Sequence, residues 1–111
     1  MSEVTASSVV SVYAIFTNDE EARRIGRQMV EERRAACVNI LGPCHSIYRW
    51  QGRVEEDAEV PAIFKTTVGQ APLLIEAITK LHSYDVPAVV AWPIAEVPEP
   101  YRAWVLANTG K

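Results

Sequence analysis

Three side chains could do chemistry together if the fold joins them: Cys37, Glu59 and Lys65. A thiolate is a nucleophile and a soft metal ligand, and a nearby cation lowers the pKa of a thiol. Lys65 could supply that cation. It is equally suited to an ion pair with Glu59, because an even separation along a strand puts both residues on one face. A polar cleft holding Cys37, Glu59 and Lys65 is thus a candidate ligand-binding site. The competing reading of Cys37 is a small buried hydrophobe in an apolar strand. His82 is the next candidate, since imidazole suits copper and zinc, and Asp85 stands close by to assist. It reads equally as a histidine closing a helix, where the helix dipole favours its charge. Cys44 and His45 are adjacent and would face opposite sides of a strand, unless Gly42-Pro43 bends it. No His-x-x-x-His or Cys-x-x-Cys encodes a mononuclear site within one chain. Cu2+ or Zn2+ is therefore expected as an optional ligand and not as an obligatory cofactor. A Gly-rich phosphate loop, a Gly-x-Ser-x-Gly elbow and a zinc-protease motif are all missing, so no catalytic residue is assigned and the chain is not read as an enzyme.

The elements that must position these residues follow from periodicity. Val9 to Phe16 alternates as a strand, with Val10, Val12, Ala14 and Phe16 on one face. Its other face is also largely apolar, which predicts a central strand. Thr17 and Glu20 have capping-box spacing ahead of a helix whose stripe is Ala22, Ile25, Gly26, Met29 and Val30. Acidic residues lead this helix and arginines close it, as the macrodipole favours. Cys37 to Ile40 is a second strand. Gly42-Pro43 interrupts it, pairing resumes near His45, Gln51-Gly52 turns the chain, and Arg53-Val54-Glu55 returns. A long strand covers 59–67. Thr67 and Gln70 offer another capping box, and Pro72 suits the first turn of a helix with a stripe of Ala71, Leu74, Ile75, Ile78 and Leu81. A loop over 82–87, a strand over 88–94 and a short helix over 101–107 complete the chain. The order is that of an α+β, ferredoxin-like β-α-β-β-α-β sandwich with a long extended hairpin and a C-terminal helix.

The hairpin is longer than two helices need to cover. Tyr48, Trp50 and Val54 at its far end have no evident partner within the chain, so self-association through the hairpin is expected. Tyr48, Trp50 and Trp104 are the expected interface residues, because aromatics are enriched in interface cores. The candidate cleft would then lie between subunits.

With 111 residues, 49% of them hydrophobic and 23% charged, the chain makes one folded domain over 9–111 behind a short flexible segment over 1–8. The net charge of -3 and the lack of a basic block argue against a nucleic-acid partner. The apolar runs are too short to span a bilayer, and the first residues lack the pattern of a signal peptide. Two cysteines do not make a disulfide framework, so reduced thiols in the cytoplasm are expected.

Five stretches stand out together along the chain: Ala35-Ala36-Cys37-Val38-Asn39-Ile40, Tyr48-x-Trp50-x-Gly52, Glu59-Val60 with Lys65-Thr66-Thr67, His82-x-Tyr84-x-x-Pro87 and Tyr101-x-x-Trp104. In their order and spacing the chain resembles the CutA divalent-cation tolerance family. The resemblance implies a tight homotrimer of ferredoxin-like subunits, similar in architecture to PII signalling proteins, with hairpins reaching into neighbouring subunits. It implies a cytoplasmic protein tied to tolerance of copper and other divalent cations, with metal ions or a small ligand held at intersubunit sites. The alternatives are a PII-like metabolite or nucleotide sensor and a structural or chaperone-like trimer. Three departures from the family pattern bear on metal binding. Ala88 replaces the usual glutamate after Pro87, Ser83 replaces the usual proline after His82, and Phe16 stands where some metal-binding members carry a cysteine.

Overall fold

A computed structural model describes Thr5 and Ser8 to Lys111; the flexible segment expected over 1–8 falls largely outside the described residues. The elements are β1 (Val9–Phe16), α1 (Asp19–Glu31), β2 (Cys37–Ile40), β3 (Cys44–Trp50), β4 (Arg53–Thr67), α2 (Ala71–Leu81), β5 (Val89–Pro93) and α3 (Glu99–Ala107). The strands form one antiparallel sheet in the order β2-β4-β1-β5, with β3 continuing along β4 beyond β2. This is the expected ferredoxin-like arrangement, and β1 is central as its two apolar faces predict.

Alternation builds the core. Val10, Val12, Ala14 and Phe16 of β1 lie opposite Thr66, Phe64, Ala62 and Val60 of β4, and all eight are buried. Ala22, Ile25 and Met29 of α1 and Ala71, Leu74 and Ile78 of α2 close over this face. Burying each large side chain here contributes about 1.5–3 kcal/mol. Among the described residues the reverse face is covered only at one end, where Val105 of α3 packs on Val9 and Ala36. Farther along β1, Tyr13 and Ile15 are only half-buried, and Tyr13 stacks on Trp92 of β5 at 4.8 Å. A helix over half a sheet face leaves the other half as the wall of a cleft.

The helix ends depart from expectation. At the start of α1 the cap is Asn18, not Thr17: its side-chain oxygen accepts from the Glu21 N–H, and Glu21 accepts in turn from the Thr17 N–H. Asn and Asp outrank Thr as caps, which explains the one-residue shift. No arginine closes α1, because the helix stops at Glu31. Arg33 takes a left-handed φ of 62°, and the Arg33 and Arg34 N–H groups donate to Val30 and Met29 in a Schellman turn. Arg33 then clips the C-terminal segment, its guanidinium donating to the carbonyls of Ala107 and Gly110. Before α2, Thr67 Oγ1 accepts from the Gln70 N–H, but Gln70 is itself the cap residue, so the box is only half made.

The hairpin is more regular than its sequence suggests. β4 runs unbroken for 15 residues, and Glu55, Glu56 and Asp57 stay in the ladder opposite Tyr48, Ile47 and Ser46. Gln51 and Gly52 have φ of 49° and 78°, the paired positive values of a tight hairpin turn. The interruption at 41–43 falls only on the β2–β3 side, where the Leu41 N–H donates to Pro61 O.

Candidate functional site

The uncovered half of the sheet, the inner side of the hairpin and the 82–88 loop enclose a cleft of about 670 Å³. Tyr13, Tyr48, Trp50 and Tyr84 give it aromatic walls, and Asp57, Glu59 and Asp85 give it negative charge. No lysine, arginine or histidine is among the described residues lining it. Alternation along β4 explains the placement of Asp57 and Glu59, which point to one side of the strand. Tyr84 Oη donates to Glu59 Oε2 at 2.7 Å, and Tyr48 Oη donates to Asp57. Glu59 is only 7% exposed.

Beneath the cleft sits a second network, fully packed. The His82 side chain is wholly enclosed and stacks on Phe16 at 5.3 Å. Its Nδ1 accepts from the Tyr84 N–H at 3.0 Å, which leaves Nε2 as the donor to Ile15 O at 2.6 Å. Glu21 Oε1 lies 3.9 Å from Nε2, and the two Glu21 oxygens accept from the Thr17 and Ser83 N–H groups at 2.9 Å each. Burial raises the Glu21 pKa, but these two hydrogen bonds and the neighbouring His82 outweigh it and hold the carboxyl below its ordinary value. The Ser83 N–H is a donor that the family's usual proline could not offer.

These positions redraw the sequence expectations. His82 does not present a free lone pair to an ion in this arrangement, and the ring acts as a buttress that fixes Tyr84. Cys37 and Lys65 are cross-strand neighbours, as a shared cleft requires, and Cys37 Sγ lies 3.8 Å from Tyr101 Oη. Glu59 is apart from both within one chain. Its register partner is Cys44, and six residues of strand separate it from Lys65, about 20 Å at the usual rise. No Glu59–Lys65 ion pair forms among the described residues. Cys44 and His45 diverge: Cys44 Sγ meets Ser46 Oγ at 3.6 Å, and His45 Nε2 meets Glu56 at 2.8 Å. Among the described residues no three His, Cys, Asp or Glu side chains are placed to hold a metal ion. Tyr48, Trp50 and Trp104 are exposed by 38%, 51% and 44%. Phe16, where some relatives are expected to carry cysteine, is buried against His82, and Ala88, where a glutamate is usual, lines the cleft. The residues that sequence reasoning missed are Tyr13, Glu21, Asp57 and Tyr84; Asn18-x-x-Glu21 spacing was the available signal for Glu21.

The family model described as "CutA1 divalent ion tolerance protein" matches residues 10–108. The chain belongs to the CutA1 divalent ion tolerance family. The Divalent-cation tolerance protein CutA of Thermus thermophilus is 50% identical over 93 residues, 84% of this chain and 90% of the relative. Human Protein CutA is 39% identical over 98 residues, 88% of this chain but 55% of the human protein. The solved structure of the Thermus thermophilus protein superposes with a TM-score of 0.88 at 47% identity, covering 92% of this chain and 99% of that one. The family is thus named for tolerance and not for a catalysed reaction, and three of the five recognised motifs fall at the cleft, with Tyr48 and Trp50 on β3, Glu59 on β4, and His82 with Tyr84 in the loop after α2, while Cys37 and Tyr101 meet elsewhere.

The four tyrosines of the chain supply an optical test of this geometry. Burial raises Tyr13 and Tyr84, aided by Cys44 for the first and by the hydrogen bond to Glu59 for the second. The hydrogen bond to Asp57 pushes Tyr48 to about 12, and burial with the Cys37 contact pushes Tyr101 to about 12. An alkaline absorbance titration should therefore show no tyrosine ionising at the ordinary value of 10.0 until the chain unfolds. Groups raised on folding stabilise below their unfolded pKa, and that contribution fades as pH climbs from about 10 towards about 12. A normal midpoint for Tyr48 or Tyr84 would refute the hydrogen bonds placed at the cleft.

Proposed function

We propose that this CutA1-family chain acts as a homotrimeric binding protein in divalent-cation tolerance, with its ligand taken at clefts between subunits. The observation that carries this reading is a pair of open sheet edges, both apolar. Ile47 and Trp50 on β3 are 65% and 51% exposed, and Val90 and Trp92 on β5 are 45% exposed each. Among the described residues each of these two strands has one unpaired side. Unpaired edges of this kind invite pairing, and joining one edge to the other between copies is a heterologous contact, which forms a ring when its rotation closes on three copies. The cleft opens between these two edges, so assembly would complete its walls. Free thiols at Cys37 and Cys44 suit a reducing cytoplasm, and Cys37 is a soft ligand that a second chain could bring to Cu2+ or Zn2+.

A small-molecule sensor of the PII-like kind is the second reading. It is favoured by the size of the cleft, which exceeds what a bare ion needs, and by the absence of a three-ligand metal cluster among the described residues. Native mass spectrometry separates the two. A species of three times 12.3 kDa that takes up stoichiometric Zn2+ or Cu2+, and loses it in Cys37→Ser, supports the metal reading. A trimer that ignores both ions moves the function to the small ligand, and a monomer under all conditions removes the assembly on which the first reading depends.

A further inference from the structure

We infer that His82 and Glu21 form a proton-operated latch on the loop after α2: a proton taken at His82 Nδ1 releases the Tyr84 N–H, and with it the hold of Tyr84 on Glu59. The motion stands on the geometry of the loop alone; only its consequence at Glu59 rests on the ligand-site reading proposed above.

The two ring nitrogens have separate tasks. Nε2 carries the proton and donates to Ile15 O at 2.6 Å, while Nδ1 is bare and accepts from the Tyr84 N–H at 3.0 Å. An imidazolium has no acceptor, because both of its nitrogens donate. A proton from solvent on Nδ1 therefore leaves the bond to Ile15 in place and sets two N–H groups against each other at Tyr84. That bond must break, and the other bond of the ring need not change.

The charge that the ring would gain already has its counter-ion. The groups facing the ring are Glu21 from α1, Ile15 O and Phe16 from β1, and Tyr84 from the loop, with Glu59 of β4 behind the Tyr84 hydroxyl. Glu21 Oε1 is 3.9 Å from Nε2, and the His82 and Glu21 side chains are 0% and 5% exposed. Burial raises the Glu21 pKa, but the Thr17 and Ser83 bonds and His82 outweigh it, so the carboxylate is charged. A proton arriving on the ring thus makes a buried ion pair and not a lone buried charge. Imidazole is the side chain that ordinarily changes charge between about pH 5 and 8, so the latch reads acidification.

The same contacts say where the loop parts. Glu21 Oε2 accepts from the Ser83 N–H at 2.9 Å, and Ser83 Oγ meets Thr17 Oγ1 at 2.9 Å, so the chain stays clamped through Ser83. Beyond it, Tyr84 is held by its N–H on His82 and by its hydroxyl on Glu59 Oε2. Loss of the first leaves the second as a single bond at the end of a side chain. The hinge is therefore the link between Ser83 and Tyr84. The exchange is between hydrogen bonds of one loop and draws on no volume of the cleft.

The test is hydrogen exchange of the Ser83 and Tyr84 amides, followed by NMR on the whole protein without added ligand, from about pH 8 to about pH 5. The expected result is a Tyr84 protection factor, corrected for the intrinsic rate, that falls about tenfold for each pH unit below about 6.5, the signature of one proton taken up on opening. Ser83 should keep its protection, because Glu21 and not His82 holds its N–H. The His82 ring and Tyr84 Cζ resonances should move in step with the Tyr84 amide. His82→Asn, whose side-chain oxygen can accept from the same N–H with no proton to gain, should remove the pH step; if that variant does not fold, the profile of the parent decides. A Tyr84 amide that stays protected while the ring protonates, or down to acid unfolding, would overturn the inference. So would Ser83 and Tyr84 losing protection together, which is general loosening and not a latch. No ligand is added and no assembly is read, so a failure of metal uptake or of trimer formation would strike the proposed function and leave this inference standing.

Discussion

Trp50→Glu should abolish the proposed assembly: the variant is expected to elute as a monomer of 12.3 kDa, or as aggregate, where the parent, as the proposed trimer, would elute at three times that mass. Trp50 is next to the turn on β3, 51% exposed, with Tyr48 on the same face at 38%, while Ile47 and Val54 are exposed by 65% and 61% on the other face. Exposed apolar side chains gathered in this way mark an interaction surface. Buried tryptophans at interface centres typically contribute about 2 kcal/mol or more, as measured by alanine truncation. A carboxylate there adds the cost of desolvating a charge, and a ring of three repeats the loss at every contact. The fold itself should survive, since Trp50 lies outside the core made by β1, β4, α1 and α2. Light scattering on the purified variant, with far-UV circular dichroism as the check on folding, decides the matter. An unchanged trimer would mean that the hairpin tip is not the interface.

Glu21→Ala should be the most damaging single change to the subunit that leaves the core residues in place, with a loss of about 3 kcal/mol in denaturant unfolding. The carboxylate satisfies the Thr17 and Ser83 N–H groups and faces His82, and Glu21 is only 3% exposed. Removing it strands two backbone donors at the junction of β1, α1 and the loop after α2. The same residue gives stability a sign with pH. Its folded pKa lies below the ordinary 4.5, so its contribution is complete above that value and is lost as pH falls through the folded pKa. Unfolding curves of the parent should therefore weaken in acid more steeply than those of Glu21→Ala. Equal slopes would show that the carboxylate does not hold those donors.

Much of the architecture was legible because alternation and helical stripes report burial directly. β1 shows it best: Val10, Val12, Ala14 and Phe16 read as one face and are one face. The turn at Gln51-Gly52 was equally plain, since few pairs tolerate two positive φ values. The site was less legible. Glu59 was found, but it was matched to Lys65 on parity alone, and parity says which face a residue shares and nothing about distance along it. Its actual partner, Tyr84, comes from a loop whose course no periodicity encodes. Glu21 was hidden for another reason. An acidic residue in the first turn of a helix is ordinarily a solvated charge favoured by the dipole, and only the loop after α2 closing over it makes it a buried acceptor.

The break between β2 and β3 has a mechanical meaning. At 41–43 the first strand of the arm holds to β4 by little more than the Leu41 N–H on Pro61 O, while β4 runs through with β1 on its other side as far as Val60. A ribbon with fewer cross-strand bonds resists bending less there than elsewhere. Glu59 stands beside that joint, opposite Cys44 where β3 begins, while Tyr48 and Trp50 lie beyond it on the arm. A bend at the joint would change the width of the cleft, so whatever holds the hairpin tip would also bear on the residues at its root.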